Sequence, residues 1–165
     1  MIKLSVEGIN LQSDYKVIAI ANDTVEFTTD YGVEYHINFM ADYSIWEDNA
    51  YQFVIINKNK KSSPNDEKLK NTLFAIVENF FSENENILLY ICETGDGKQA
   101  ARSKLFLRWF SNYKNAGKYY MQDTEITNEE ESNFAALIIR RDNPSFDSIV
   151  NDFTEMTEIL KNKPE

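Results

Sequence analysis

Residues 51–92 read YQFVIINKNKKSSPNDEKLKNTLFAIVENFFSENENILLYIC, and this stretch decides the fold class. It holds two apolar runs, YQFVIIN (51–57) and ILLYIC (87–92), on either side of a segment with a different period. Both runs are apolar at odd and even positions alike, as expected of central strands covered on both faces. Between them, Ser63-Pro64-Asn65-Asp66 offers an N-cap, a proline at the first helical position and early acids. Leu69, Leu73, Ile76, Val77 and Phe80 follow at helical spacing, which predicts an amphipathic helix over 64–82. Strand, helix and strand in that order make a right-handed crossover, so the two strands are expected to be parallel.

Working outward, the N-terminal third alternates. YKVIAIA (15–21), TVEFTT (24–29) and VEYHINFM (33–40) are parted by Asn22-Asp23 and by Asp30-Tyr31-Gly32. Keeping Val25 and Phe27 on one side with Val33, Tyr35, Ile37 and Phe39 requires a three-residue loop with Gly32 at positive φ. Thr29 then pairs with Val33, and Glu26 stands opposite His36 on the outer face. On the other side of the crossover, residues 97–115 form a second helix, and Lys118–Gln122 pairs with FAALIIRR (134–141) through an acidic loop. Phe146, Ile149, Val150, Phe153, Met156 and Leu160 give a C-terminal helix. The expectation is an α+β fold, a single domain over residues 1–165 with a mixed, mostly antiparallel sheet.

Composition bounds the function. The chain has 165 residues and a net charge of −10, which disfavours nucleic acid as a partner because phosphates are repelled. No apolar stretch approaches the ~20 residues that span a bilayer, and no signal-peptide pattern opens the chain, so a cytoplasmic location is expected. A single cysteine, Cys92, excludes an internal disulfide framework and a Cys-cluster zinc site. The charge is blocky, however. Lys98, Arg102, Lys104, Arg108, Lys114 and Lys118 are followed by the acids of residues 123–133.

YICETGDGKQAARSKLFLRWF (90–110) raises the sharpest functional question. Asp96 and Gln99 have capping-box spacing, and Gly95 and Gly97 suit a strand-to-helix turn. On the helical wheel Leu105, Phe106, Trp109 and Tyr113 form the apolar stripe, with Arg102 at its centre and Lys98 and Gln99 at its margin. Lys104, Lys114 and Leu107 point away. A guanidinium on that face needs an acid or an anion. Either Glu93, Asp96 or another acid pairs with it, or Arg102 and Lys98 with the helix N-terminus hold an anion, or the group meets a partner protein. GDGKQ lacks the spacing of a Walker motif. His36 beside Glu34 and Asn38 is either a general base or an exposed strand histidine. Cys92 is either a small core residue or a reactive thiol, and a Cys92–His36 dyad requires both strands to meet at one sheet end. Tyr31, Tyr43, Tyr119 and Tyr120 are the tyrosines expected at the surface, where they suit contacts with a protein partner.

The pattern Cys92-x-x-x-Asp96-x-Lys98-Gln99-x-x-Arg102-x-x-Leu105-Phe106-x-x-Trp109-Phe110, with Phe27-Thr28-Thr29-x-x-Gly32-x-x-Tyr35 upstream, resembles the signature of a domain-of-unknown-function family. That family comprises small proteins of Bacteroides-type bacteria. The resemblance spans roughly residues 15 to 140, implies a stand-alone cytosolic bacterial protein, and brings no known activity. The element order alone is similar to the core of the GCN5-related acetyltransferases. That likeness implies a cofactor site for acetyl-CoA in the loop 57–66, with Lys58, Lys60, Lys61, Ser62 and Ser63 as its phosphate-facing residues. The family's loop glycines are missing there, so a cofactor site would be degenerate. With no complete catalytic constellation, the sequence points first to a non-enzymatic protein-binding or accessory domain without a cofactor, and second to a degenerate acetyltransferase-like protein.

Overall fold

The computed structural model describes the backbone of residues 2–93, 97–127 and 132–161, and their side chains except those of 91–100, 102, 103, 126, 127, 132, 133, 160 and 161. The chain is α+β. In order it forms α1 (Val6–Asn10), β1 (Ile18–Ala21), β2 (Thr24–Thr28), β3 (Glu34–Ala41), β4 (Ala50–Asn57), α2 (Glu67–Phe80), β5 (Ile87–Glu93), α3 (Gly97–Ser111), a 3-10 turn (Ala116–Lys118), β6 (Tyr119–Thr127), β7 (Ser132–Arg140) and α4 (Phe146–Lys161). The strands make one sheet in the order β1-β2-β3-β4-β5-β7-β6. β4 and β5 are parallel, as a helical crossover requires, and the β1–β2, β2–β3, β5–β7 and β6–β7 pairings are antiparallel. Two compact units divide the chain: residues 1–40 with 53–83, and residues 41–52 with 84–165.

In the first unit, one sheet face is closed by α2. Val25, Phe27, Ile37, Phe39, Phe53 and Ile55 are buried there, as are Leu69, Leu73, Ile76, Val77 and Phe80 of the helix. Phe39 stacks on Phe80 with ring centroids 4.5 Å apart. The β2–β3 hairpin follows the alternation: Glu26 lies opposite His36, the Thr29 N–H donates to the Val33 carbonyl at 3.0 Å, and Gly32 has φ of 76°. Only glycine takes that φ without strain.

Two boundaries and the cover of one strand differ from the sequence expectation. α2 starts at Glu67 with Asp66 as its N-cap, in place of Ser63 and Pro64. The Asp66 carboxylate accepts the Lys68 N–H at 3.0 Å and the Tyr15 hydroxyl at 2.6 Å, so a long-range partner selects the cap. β1 begins at Ile18 because the Asn10 side chain holds the main chain of Val17 from both sides, at 2.9 and 2.8 Å. β4 is central in the sheet, yet its second half is closed on one face only: Val54 is half-buried and Ile56 is 43% exposed.

In the second unit, the sheet is closed on both faces. Ile87, Leu89, Ala135, Leu137 and Ile139 with Ala50 meet Ile149 and Phe153 of α4. On the opposite face the Tyr90 ring lies 6.0 Å from Phe106 of α3, and Tyr119 lies 5.1 Å from Phe110. Double cover accounts for the unbroken apolar runs of β5 and β7. β6 extends to Thr127, well past the expected end at Gln122, so Asp123 and Glu125 belong to a strand and not to the acidic loop. An edge strand with one open side tolerates such charges.

Candidate functional site

α3 positions the first candidate site. Its buried residues are Phe106, Leu107 and Phe110. Leu105, expected in the apolar stripe, is 38% exposed, and Leu107, expected in solvent, is buried. Trp109 and Tyr113 are half-buried. The buried face of α3 is therefore rotated from the face read on the wheel, because Tyr90 and Tyr119 select Phe106 and Phe110. Leu107 thus takes the place expected of Leu105, while Phe106 is buried as expected. Asp96 and the side chains of Arg102, Lys98, Gln99 and Cys92 lie outside the described residues.

Beside α3 lies a groove of about 300 Å³ over the β6–β7 hairpin. Leu107, Met121, Phe134 and Ala136 supply its apolar walls, while Lys104, Arg108, Ser111 and Asp123 supply polar ones. The small side chain of Ala136, in line with Phe134 two residues earlier, leaves the space. Lys104 pairs with Glu125, and its ammonium lies 5.3 Å from the centre of the Phe134 ring. Arg108 makes no ion pair among the described residues. The strand side chains alternate: Met121, Asp123 and Glu125 face α3, whereas the Tyr120 ring meets Phe146 of α4 and Gln122 donates to the Thr154 hydroxyl.

The second candidate is the uncovered sheet face of the first unit. Ile18 is registered with Glu26, and Glu26 with His36. The hydrogen bonds Asp42 N–H to Ala50 and Lys58 N–H to Glu34 set β3 and β4 in a register that puts Ile56 beside His36. Ile18, Met40 and Ile56, at 49%, 49% and 43% exposure, thus share the face opposite α2. Ile20, equally exposed, sits at a shift in the β1–β2 register. His36 is half-buried on this face, and Glu26 pairs with Lys58 at 3.0 Å.

The loop 57–66 is held by its own side chains. The Lys58 N–H goes to Glu34, the Lys60 N–H to the Asn57 side chain, and the Asn57 amide donates to the Lys61 carbonyl at 2.9 Å. Asn59 bridges Gly32 and Glu34 across the hairpin. Lys60 has φ of 57°, and Lys61, Ser62 and Ser63 are exposed. The structure brings Lys58 to Glu26, and Asp66 covers the start of α2 from within. Asn57 and Asn59 escaped notice in the sequence, although Asn-x-Asn between a strand and a helix is a turn signal.

Of the tyrosines expected outside, Tyr31 and Tyr43 are exposed, Tyr119 is buried and Tyr120 is half-buried. Tyr119 lies in the aromatic cluster of α3, and Tyr120 in that of α4. Burial is the main influence that pushes the Tyr15 hydroxyl up to about 12, helped by its hydrogen bond to Asp66. Burial works to raise the Asp42 carboxyl too, but hydrogen bonds from Ser44 and Gln52 hold it below its ordinary range. Among the described residues, no group of three His, Cys, Asp or Glu residues is placed to hold a metal ion, and no helix is long and apolar enough to cross a membrane.

A model described as a family of unknown function (DUF6169) matches residues 65–155, more than half of the chain. The chain belongs to this family. The DUF6169 match begins beside the Asp66 cap and runs into α4, so it takes in α2, β5, α3, β6 and β7. The groove beside α3 lies inside the DUF6169 region, whereas Ile18, Met40 and Ile56 lie before it. No curated protein and no solved structure matches the chain.

Proposed function

We propose that the protein is a non-enzymatic, cytoplasmic bacterial accessory domain that binds a protein partner on the uncovered sheet face of its first unit. The observation that carries this is the mismatch in β4. Its sequence is apolar on both faces, as strands with two covers are, yet Ile56 is 43% exposed beside Ile18 and Met40. A partner laid on this face would give the strand its second cover. In the test, a photo-crosslinking residue is placed in cells at position 56, 40 or, as a control, 11, because Leu11 is exposed outside the sheet. One shared protein adduct from positions 56 and 40, absent from position 11, is the expected result. The same adducts from all three positions, or none from 56 and 40, would overturn the proposal, as would turnover of a small molecule by the purified chain.

A second possibility, a degenerate acetyltransferase-like protein, draws on one observation: β4, α2 and β5 form a parallel crossover in the element order of those enzymes. Lys58, Lys60, Lys61, Ser62 and Ser63 would then face acetyl-CoA phosphates. The Lys58 N–H spent on Glu34, the Lys60 N–H spent on the Asn57 side chain, and the carboxylate of Asp66 at the helix start make this the weaker choice. Millimolar CoA that leaves Tm unchanged would remove it.

A further inference from the structure

The β6 edge carries an inference independent of the face just described. β6 is the last strand in the sheet order, and it pairs with β7 in one unbroken register from Tyr119↔Arg140 to Thr127↔Ser132. In that register the Arg141 N–H donates to the Lys118 carbonyl at 2.9 Å. Antiparallel ladders alternate, so the even-numbered residues of β6 hydrogen-bond to β7, and the odd-numbered ones turn N–H and C=O outward. Met121, Asp123 and Glu125 therefore present a row of main-chain donors and acceptors at the edge. Met121 and Asp123 also line the groove beside α3, which places an apolar hollow next to that row.

Such an arrangement matches one kind of partner. A backbone in extended form satisfies the outward N–H and C=O groups, and strands lie about 4.8 Å apart. Alternate side chains of the added strand then fall on the α3 side, within reach of the hollow walled by Leu107, Phe134 and Ala136. Lys104 is already paired with Glu125, and Asp123 stands in the same groove as Arg108, so the groove's own charges offset each other. The selecting feature is the apolar hollow. A second copy of this chain is disfavoured. In full overlap, antiparallel self-pairing sets Asp123 opposite itself, and like charges directly across a ladder repel.

We propose that β6 accepts an extended segment of a partner protein as an eighth strand, with an apolar side chain of that segment seated between α3 and Ala136. The test pans a phage-displayed library of random nine-residue peptides on the full chain. Enriched peptides are then measured by fluorescence polarisation against the wild type and Asp123→Pro. Proline at 123 removes an outward N–H without touching the β7 ladder, which edge strands tolerate. Affinity is expected to fall at least about tenfold, the equivalent of roughly 1.4 kcal/mol. Should Asp123→Pro fail to fold, amide exchange on the wild type decides. Bound peptide is expected to slow the amides of Met121, Asp123 and Glu125. No enrichment above an unrelated control protein, or a bound peptide that protects none of these amides, overturns the proposal. So does protection of the same amides by dimer formation without peptide.

Discussion

β5 and β3 show how differently the two units treat a strand. In β5, Ile87, Leu88, Leu89 and Tyr90 are all buried, because α4 lies on one face of the sheet and α3 on the other. In β3, Tyr35, Ile37 and Phe39 are buried while Glu34, His36 and Asn38 are half-buried, because a helix closes one face only. Sequence period follows cover: one face gives alternation, two faces give a continuous apolar run. β4 breaks the rule. Its first residue, Ala50, sits in the α4 cluster, and its later residues Val54 and Ile56 keep an apolar pattern without the second cover. That excess of apolar side chains over cover is what the proposed partner surface rests on.

The contrast can be broken most severely in the second unit. Phe153→Ala empties the α4 face, where Phe153 is fully buried, and a loss of about 3–5 kcal/mol is expected in urea denaturation. A loss under about 1 kcal/mol would mean that α4 is not an effective cover. In the first unit, Asp66→Ala removes both the cap of α2 and the acceptor of the Tyr15 hydroxyl, so about 2 kcal/mol should be lost. Ser63→Ala should leave stability within about 0.5 kcal/mol, since the cap is not there.

The two units also differ at opposite ends of the pH scale. Tyr15 has its hydroxyl pushed from 10.0 up to about 12 in the folded chain. Its contribution is whole below pH 10 and is lost as pH rises towards about 12, because the unfolded chain gives up the proton first. Tyr15→Phe should flatten that alkaline decline. Asp42, held below 3.8, contributes above that pH, and its share is lost as the pH falls below it. Asp42→Asn should reduce the acid-side slope. At the uncovered face a small effect is expected as well, and Ile56→Thr should cost below about 1 kcal/mol. A cost equal to that of a buried isoleucine would show that the face is already covered.

Much of this architecture was legible because it is local or periodic. The β2–β3 register came from alternation and from one glycine able to hold positive φ. The parallel step from β4 to β5 followed from a helical period between two apolar runs. What escaped was the outcome of competition between equivalent local signals. Ser63-Pro64 is as good a helix start as Asp66, until Tyr15 arrives from residues far upstream and bonds to the aspartate. Leu105 and Leu107 are chemically alike, and only the position of Tyr90 and Tyr119 decides which one α3 buries. The groove beside α3 was invisible for the same reason, since it depends on a small Ala136 meeting the flank of a helix whose facing was unknown.

By itself, then, the sequence determined the element types, the α+β class, the hairpin register and the parallel crossover, since period, turn chemistry and chain connectivity act over short range. Tertiary structure alone decided the caps, the rotation of α3, the length of β6 and the bare half of β4. Those features depend on which surfaces meet. Contact between residues far apart in the chain is a property of the packed molecule, and local propensity carries no record of it.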